Sequence, residues 1–332
     1  MFFNSPLKRI TKLLLKNGSK VDSMNVVAIR TATLRPHITL GFDMYIHVSD
    51  RYLLYVKKTD NIEPERLDRL NKKKVRSLFI QEQDLPAYDE FLKHSAYLAL
   101  EDPKLAPSQK AMIVSGQAKA VLEEVFESPQ QKDLYFKTQA VAANQVTFLL
   151  KHPDALSLVL KIAAFDKTTY QHSVNVSALS IGLGAALGAP PDGCQILSIG
   201  GLLHDIGKSQ LNTKIADIPY ERMDLDQKEQ YIQHPRIGAG LLANKKYVSA
   251  DVLDVILLHE ERLDGQGFPA GVTKLDQIFQ VVGLANLYDR KVTFLNKTPH
   301  EAYELIRKMN PPPYDERLIQ GLKDILVSNK IY

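Results

Sequence analysis

Histidines, carboxylates and one asparagine stand at the ends of apolar segments in the C-terminal half of this chain. Imidazole, carboxylate and amide groups can bind metal ions or move protons. Because these residues are far apart in sequence, they make chemical sense together only if the fold gathers them around metal. The candidates are His172, His204, Asp205, His234, His259, Glu260 and Asn286.

Any one of these histidines alone is more typical of a hydrogen-bonded core residue than of a metal ligand. Four of them together with an aspartate favour a metal site. A mixture of nitrogen and oxygen donors suits Fe, Mn or Zn, whereas Ca²⁺ and Mg²⁺ prefer oxygen ligands alone. Asp205 has two oxygens and can bridge two ions. Two cations about 3.5–4 Å apart stabilise the attacking and leaving oxygens of phosphoryl displacement and generate hydroxide from water.

Composition is that of a soluble globular protein. Of the 332 residues, 45% are hydrophobic and 24% charged, and the formal net charge of +4 is too mild to indicate binding to a nucleic-acid polymer. The single cysteine, Cys194, excludes an intramolecular disulfide and is typical of a reducing compartment. No stretch approaches the roughly 20 apolar residues of a membrane span, and Leu13-Leu14-Leu15 is too short for a signal peptide. We therefore expect a cytoplasmic protein without a transmembrane segment.

The first part of the chain mixes strand and helix signals. β-branched and aromatic runs predict strands, two of which form a hairpin, and Pro64 and Asp84 begin predicted helices. The predicted strands are 26–29, 44–48, 52–56 and 77–80. Residues 1–95 are therefore expected to form a small α+β regulatory or interaction module.

Beyond residue 96 the apolar residues recur with helical spacing, and prolines separate the runs. This pattern predicts a helical connector over 96–154 and an all-helical metal-binding domain over 155–332. The predicted fold class is thus a small α+β module followed by an all-α helical bundle.

A family resemblance is carried by the same residues. The stretch from about Tyr170 to Leu322 resembles the HD-GYP subgroup of HD-domain metallophosphohydrolases, whose motifs are His-Asp, Gly-Lys, His-Pro and His-His-Glu-x-x-Asp-Gly-x-Gly-Tyr-Pro. The matching segments here are Gln171-His172-Ser173, His204-Asp205-Ile206-Gly207-Lys208, His234-Pro235-Arg236-Ile237-Gly238-Ala239 and Asp264-Gly265-Gln266-Gly267-Phe268-Pro269.

The resemblance implies an HD-type helical bundle with an iron or manganese centre that hydrolyses cyclic di-GMP in bacterial signalling. Asp205 would bridge the ions and orient the nucleophile, and Lys208 would contact the scissile phosphate. The implied metal ligands are His172, His204, Asp205, His234 and His259. In this picture the loop that contains Gly265 and Gly267 shapes the mouth of the site.

Four positions depart from the family pattern. Glu260 replaces the second histidine of the His-His pair and would offer an oxygen donor. Asn286 replaces an aspartate ligand. Thr168 stands where some members have a glutamate that helps to hold a third metal, which favours two metals here. Phe268 replaces the motif tyrosine and lacks its hydroxyl.

The family's substrate-gripping loop is shorter in this chain. Arg290, Lys291 and Lys297 are its cationic residues. Arg290 and Lys297, with Phe268, are therefore the candidates for substrate binding.

Three functions are compatible with the sequence. The first is a dinuclear phosphodiesterase acting on cyclic di-GMP or its linear product, with Fe as the first choice of metal and Mn as the second. The second is a degenerate relative that binds metal and nucleotide and signals through protein partners. The third is a di-iron redox or oxygen-binding protein, which Lys208 argues against because a lysine beside the site suits an anion.

Overall fold

The computed structural model describes residues 25–35, 38–48, 51–73, 75, 77–162, 168–212, 215 and 218–332. The chain divides into two compact units, Met1–Glu101 and Asp102–Tyr332. No helix among the described residues has both the length and the apolar character needed to cross a bilayer.

The first unit contains a four-stranded antiparallel sheet and two helices. The elements are β1 (Val26–Arg30), β2 (Met44–Val48), β3 (Arg51–Val56), α1 (Pro64–Lys72), β4 (Ser77–Gln81) and α2 (Leu85–Glu101). The strand order in the sheet is β1-β4-β2-β3, and β2 and β3 pair as the predicted hairpin.

One face of this sheet is buried with the two helices in a single apolar core. Within that core Phe42 meets the ring of Tyr88 edge to face at 5.6 Å, and the Tyr88 hydroxyl lies 2.7 Å from Thr33 Oγ1. The expected small α+β module is confirmed. Its predicted limit at residue 95 falls inside α2, and the division between the units follows Glu101.

The second unit is helical, with short 3-10 turns between some helices. This confirms the predicted all-α body. The helices are α3 (Pro107–Glu127), α4 (Lys132–Lys151), α5 (Leu156–Ile162), α6 (Thr169–Ala186), α7 (Pro191–Leu203), α8 (Leu225–Tyr231), α9 (His234–Leu242), α10 (Ala250–Leu258), α11 (Gln277–Thr293), α12 (Pro299–Arg307) and α13 (Glu316–Ser328). Helices α3 and α4, which cover most of the predicted connector, pack against α6 and α7.

Helices α6, α7, α10 and α11 pack side by side. His172 lies in α6, Asn286 in α11 and His234 at the start of α9, whereas His259 and Glu260 directly follow α10. His204 and Asp205 lie in the turn that follows α7. Gly207 in that turn fits against the backbone of α9, where an added Cβ would lie 1.9 Å from the His234 carbonyl oxygen. Only glycine allows so close an approach, which brings the His204-Asp205 end of α7 to His234.

Candidate metal centre

Three histidines each make the same kind of local hydrogen bond. Each donates from Nδ1 to the carbonyl three residues earlier, at the end of a helix or helical turn. The bonds run from His204 to Gly201 (2.7 Å), from His234 to Tyr231 (2.7 Å) and from His259 to Ile256 (2.8 Å). Because Nδ1 carries the proton, Nε2 of each ring presents a free lone pair, as metal-binding imidazoles do.

These Nε2 atoms converge on the Asp205 carboxylate. Asp205 and the histidines are fully buried, each with 0% of its surface exposed. The distances to Oδ2 are 3.8 Å from His172 and 3.4 Å from His204, and those to Oδ1 are 3.2 Å from His234 and 3.7 Å from His259. Each carboxylate oxygen therefore faces its own pair of imidazoles, giving two groups of three ligand atoms.

Lone pairs face lone pairs in this cluster. His234 Nε2 lies 3.0 Å from His259 Nε2, and His204 Nε2 lies 3.3 Å from His172 Nε2. Asp205 Oδ1 has no hydrogen-bond donor although it is buried. Acceptors collected in this way without donors repel one another unless a cation lies among them. This set of nitrogen and oxygen ligand atoms therefore fits a divalent cation.

His172 is held from its other side by Asp289. Its Nδ1 donates to Asp289 Oδ2 at 2.7 Å, and its Nε2 lies 3.1 Å from Asn286 Oδ1. Asp289 also accepts from Asn175 Nδ2 (2.9 Å) and Thr293 Oγ1 (3.0 Å). These contacts fix the ring so that Nε2 points into the cluster. Neither Asn175 nor Thr293 belongs to a sequence motif, so the sequence does not predict that these two side chains hold Asp289 in place.

Burial favours the neutral form of three of these imidazoles. It lowers the pKa of His172 although the Nδ1 of that ring donates to Asp289, and it lowers the pKa of His234 although the Asp205 carboxylate lies close by. Burial, reinforced by His204 and His234, lowers the pKa of His259 well below its usual range. Neutral imidazole is the form that binds metal.

Lys208 supplies a fixed positive charge beside the cluster. The 3-10 turn Ile206–Gln210 returns its Nζ to Asp205 Oδ2 at 2.6 Å and places it 4.9 Å from the centre of the Tyr231 ring. Burial opposes ionisation of both side chains. Even so, their mutual attraction raises the pKa of Lys208 and holds the pKa of Asp205 well below its usual range. Lys208 is thus a cation and Asp205 an anion.

Glu260, an expected metal ligand, pairs with an arginine. Glu260 accepts from Arg290 Nη1 at 3.0 and 3.1 Å and belongs to neither group of converging ligand atoms. Its role as a ligand stays a prediction. Lys297 follows α11, where it lines a cavity of about 430 Å³ together with Asp289. Thr168, where some family members have a glutamate, caps α6 by accepting from Gln171 N.

The loop after α10 is organised by a residue that the sequence did not single out. Glu261 is fully buried, and its carboxylate accepts backbone N–H bonds from Ala270 (2.6 Å), Gly271 (3.2 Å) and Val272 (2.9 Å). The acid in the family motif suggests a structural role, but nothing in its spacing indicates which backbone N–H groups it accepts.

Glycines let this loop fold back on itself. Gly265 has a φ of +71°, and a Cβ added to Gly267 would lie 2.5 Å from Glu261 Cα. The loop presents Phe268 beside the cluster, with its ring centre 6.0 Å from that of His234 and 5.8 Å from that of Tyr220. Phe268, one of the residues predicted for substrate binding, therefore lies beside His234.

Comparison with known proteins agrees with this geometry. A family model described as HD domain matches residues 157–318. Cyclic di-GMP phosphodiesterase PA4108 of Pseudomonas aeruginosa is 31% identical over 67% of this chain and 51% of the relative. A cyclic di-GMP phosphodiesterase of Thermotoga maritima is 25% identical over 52% of this chain and 50% of the relative. This chain therefore spans about half the length of these two curated relatives.

A solved structure matches over nearly its whole length. Bd1817, an HDG"Y"P protein from Bdellovibrio bacteriovorus, is 32% identical, with a TM-score of 0.72 and coverage of 91% of this chain and 99% of the other. The HD domain and the buried His/Asp cluster together indicate a divalent-metal site. On this evidence, the chain belongs to the HD-GYP family of HD-domain proteins.

Proposed function

We propose that this protein is a metal-dependent phosphodiesterase that uses two divalent cations to hydrolyse cyclic di-GMP or its linear product. The observation that carries the proposal is the Asp205 carboxylate, whose two oxygens each face a separate pair of imidazoles. The names of the curated relatives and the shared motifs support the choice of substrate.

The residues that would hold the cations form two sets around Asp205. His172, His204 and the Asn286 oxygen make one set, and His234 with His259 makes the other. Iron is the first choice and manganese the second, because imidazole with carboxylate suits both. When bound, two such ions supply Lewis acidity to the phosphodiester and lower the pKa of water to near neutrality.

The chain's own residues have separable tasks in this proposal. Asp205 fixes the spacing of the two ligand sets and orients the attacking water. Lys208 neutralises charge that develops on the non-bridging phosphate oxygens, because only one of its three ammonium hydrogens is needed for Asp205. Water attacks phosphorus, the P–O bond to a ribose oxygen breaks, and the proton lost by the water ends on that oxygen, giving a phosphate monoester and a free hydroxyl.

Substrate binding is assigned to the residues around the mouth. Lys208 and Arg290 would bind phosphate oxygens, and Phe268 would offer an apolar ring. Gly265 and Gly267 would shape the loop. Lys297, which follows α11, would add a positive charge for binding the anionic substrate.

A second candidate is a degenerate family member that binds metal and nucleotide and signals through protein contacts. Phe268 favours it, because this ring lacks the hydroxyl of the motif tyrosine. Asn286 favours it as well, because a neutral amide is a weaker ligand than a carboxylate. In that case residues 1–95 would contact the signalling partner. Either role would belong to second-messenger signalling in the bacterial cytoplasm.

Turnover by protein reconstituted anaerobically with iron or manganese separates the two candidates. We expect hydrolysis of cyclic or linear dinucleotide that His204→Ala abolishes. His300→Ala is the matched control, since His300 is an exposed histidine on α12. Metal-loaded protein that turns over neither substrate would exclude the phosphodiesterase and leave the degenerate member.

A further inference from the structure

Glu260 forms a buried ion pair with a residue 30 positions away. Arg290 Nη1 donates to both Glu260 oxygens, at 3.0 and 3.1 Å, and only 8% of the glutamate and 7% of the arginine surface is exposed. Neither glutamate oxygen belongs to the two groups of converging ligand atoms around Asp205. The Glu260 carboxylate therefore orients the Arg290 guanidinium.

Arg290 has further donors beyond this pair. Its Nη2 lies 3.8 Å from Glu221 Oε1, which is outside hydrogen-bonding range. The guanidinium carbon lies 5.8 Å from the Tyr220 ring centre and 5.9 Å from that of Tyr231. Although burial opposes its charge, Glu260 raises the pKa of Arg290, so the side chain remains a cation.

Arg290 and Lys208 lie against the same aromatic ring. Lys208 Nζ is 4.9 Å from the Tyr231 ring centre and 2.6 Å from Asp205 Oδ2. The Tyr231 backbone carbonyl in turn accepts from His234 Nδ1. The Lys208 ammonium and the Arg290 guanidinium therefore both lie beside Tyr231, which also orients His234. A planar guanidinium with free donors is suited to phosphate oxygens.

We infer that Glu260 is a positioning residue, which holds Arg290 so that the guanidinium binds a phosphate oxygen of the substrate, and that Glu260 is not a metal ligand. The inference rests on the proposed function for the identity of the substrate. It assigns a different role to the position at which the family pattern implies a metal-binding histidine.

Metal counting tests the first half of the inference. The full chain, stripped of metal, is titrated with Mn²⁺ by calorimetry as wild type, Glu260→Gln and His259→Ala. We expect Glu260→Gln to bind the same number of Mn²⁺ ions as wild type, with less than about a twofold change in affinity, and His259→Ala to lose binding. A lost equivalent, or about tenfold weaker Mn²⁺ binding, in Glu260→Gln would overturn the inference.

Phosphate binding tests the second half. Inorganic phosphate is titrated into the Mn²⁺-loaded wild type, Glu260→Gln, Arg290→Gln and the double variant. Each single change should weaken binding by about tenfold, and the double variant should be no weaker than Arg290→Gln, because Glu260 acts only through Arg290. Losses that multiply in the double variant would show that the two residues act independently and contradict the inference.

The turnover of cyclic di-GMP gives a third readout. If Arg290 binds ground state and transition state alike, Glu260→Gln raises KM by about tenfold and changes kcat by less than about twofold. Glu304→Gln is the control, because it breaks an exposed glutamate–arginine pair with Arg307 and should leave every value unchanged. A fall in kcat at unchanged KM would contradict the inference.

The outcomes for the inference and for the proposed function are separable. If wild type binds Mn²⁺ and phosphate but hydrolyses no dinucleotide, the proposed phosphodiesterase activity is wrong. The inference is then still decided by the number of Mn²⁺ ions bound and by the phosphate titrations of the single and double variants. If Glu260→Gln does not fold, Arg290→Gln decides: weaker phosphate with unchanged Mn²⁺ affinity supports the inference. Tighter Mn²⁺ binding by Arg290→Gln would show that the Glu260 carboxylate, once released from Arg290, binds metal, and this would overturn the inference.

Discussion

Asp289 Oδ2 accepts the Nδ1 hydrogen of His172 at 2.7 Å, which turns Nε2 of that ring toward Asp205. Second partners of this kind typically contribute 10- to 100-fold in metal affinity. We therefore expect Asp289→Asn to weaken the cation held by His172 and His204 by about that factor.

Competition with a chelator during Mn²⁺ titration measures this effect. Asp254→Asn is the control because Asp254 is exposed on α10. Equal Mn²⁺ affinity in wild type and Asp289→Asn would show that the carboxylate does not support the centre.

Gly207 is predicted to be intolerant of a side chain. Its added Cβ would lie 1.9 Å from the His234 carbonyl oxygen, and that backbone cannot rotate away as a side chain could. Gly207→Ala should lower the free energy of unfolding by about 1–3 kcal/mol or more and reduce metal content, since His234 would move.

The matched control is Gly240→Ala. An added Cβ at Gly240 meets no heavy atom within 4 Å, and the residue lies within α9. Urea denaturation should show unchanged or up to about 1 kcal/mol greater stability for it, because alanine favours helix. Similar losses in both variants would mean that the contact with His234 is not the cause.

Lys208 should matter for the chemical step more than for metal retention. Removal of one charge that stabilises the transition state typically costs about 10²–10³ in kcat. Lys208→Gln is expected to keep its metal content and lose kcat by about this factor in the dinucleotide assay.

An exposed lysine provides the comparison for Lys208. Lys274→Gln, in the loop after α10, should retain wild-type kcat because Lys274 is solvent-exposed. Loss of metal from Lys208→Gln, with kcat per bound metal unchanged, would assign the lysine to holding Asp205 rather than to the substrate.

Glu261 should control the order of the loop that presents Phe268. Its carboxylate accepts three backbone N–H groups, and bonds to a charged acceptor are worth about 1.5–3 kcal/mol. Glu261→Gln is expected to increase hydrogen exchange at Ala270 and Val272. Glu229→Gln, an exposed glutamate in α8, should leave exchange unchanged, and full protection in Glu261→Gln would contradict the assigned role.

The sequence was most informative where a ligand follows directly from local pattern. His204 and His259 come at the ends of apolar helices, so their approach to a shared centre could be expected from helix packing alone. The α+β module and helical body could be predicted for the same reason, since hydrophobic period and turn residues are local signals.

Long-range pairing set the limit of that reasoning. The direction of the Glu260 side chain depends on Arg290, 30 residues away, and nothing near either residue indicates their ion pair. The support of His172 by Asp289 spans 117 residues. Such contacts are decided by how α6, α10 and α11 pack, which a single sequence does not state.

The most direct test is an anomalous-difference map from crystals of protein reconstituted anaerobically with iron, recorded at the iron edge. We predict two peaks flanking the Asp205 carboxylate, one beside His172 and His204 and the other beside His234 and His259. A map without a peak at these side chains, or with one peak that contacts only a single pair, would contradict the two-cation centre.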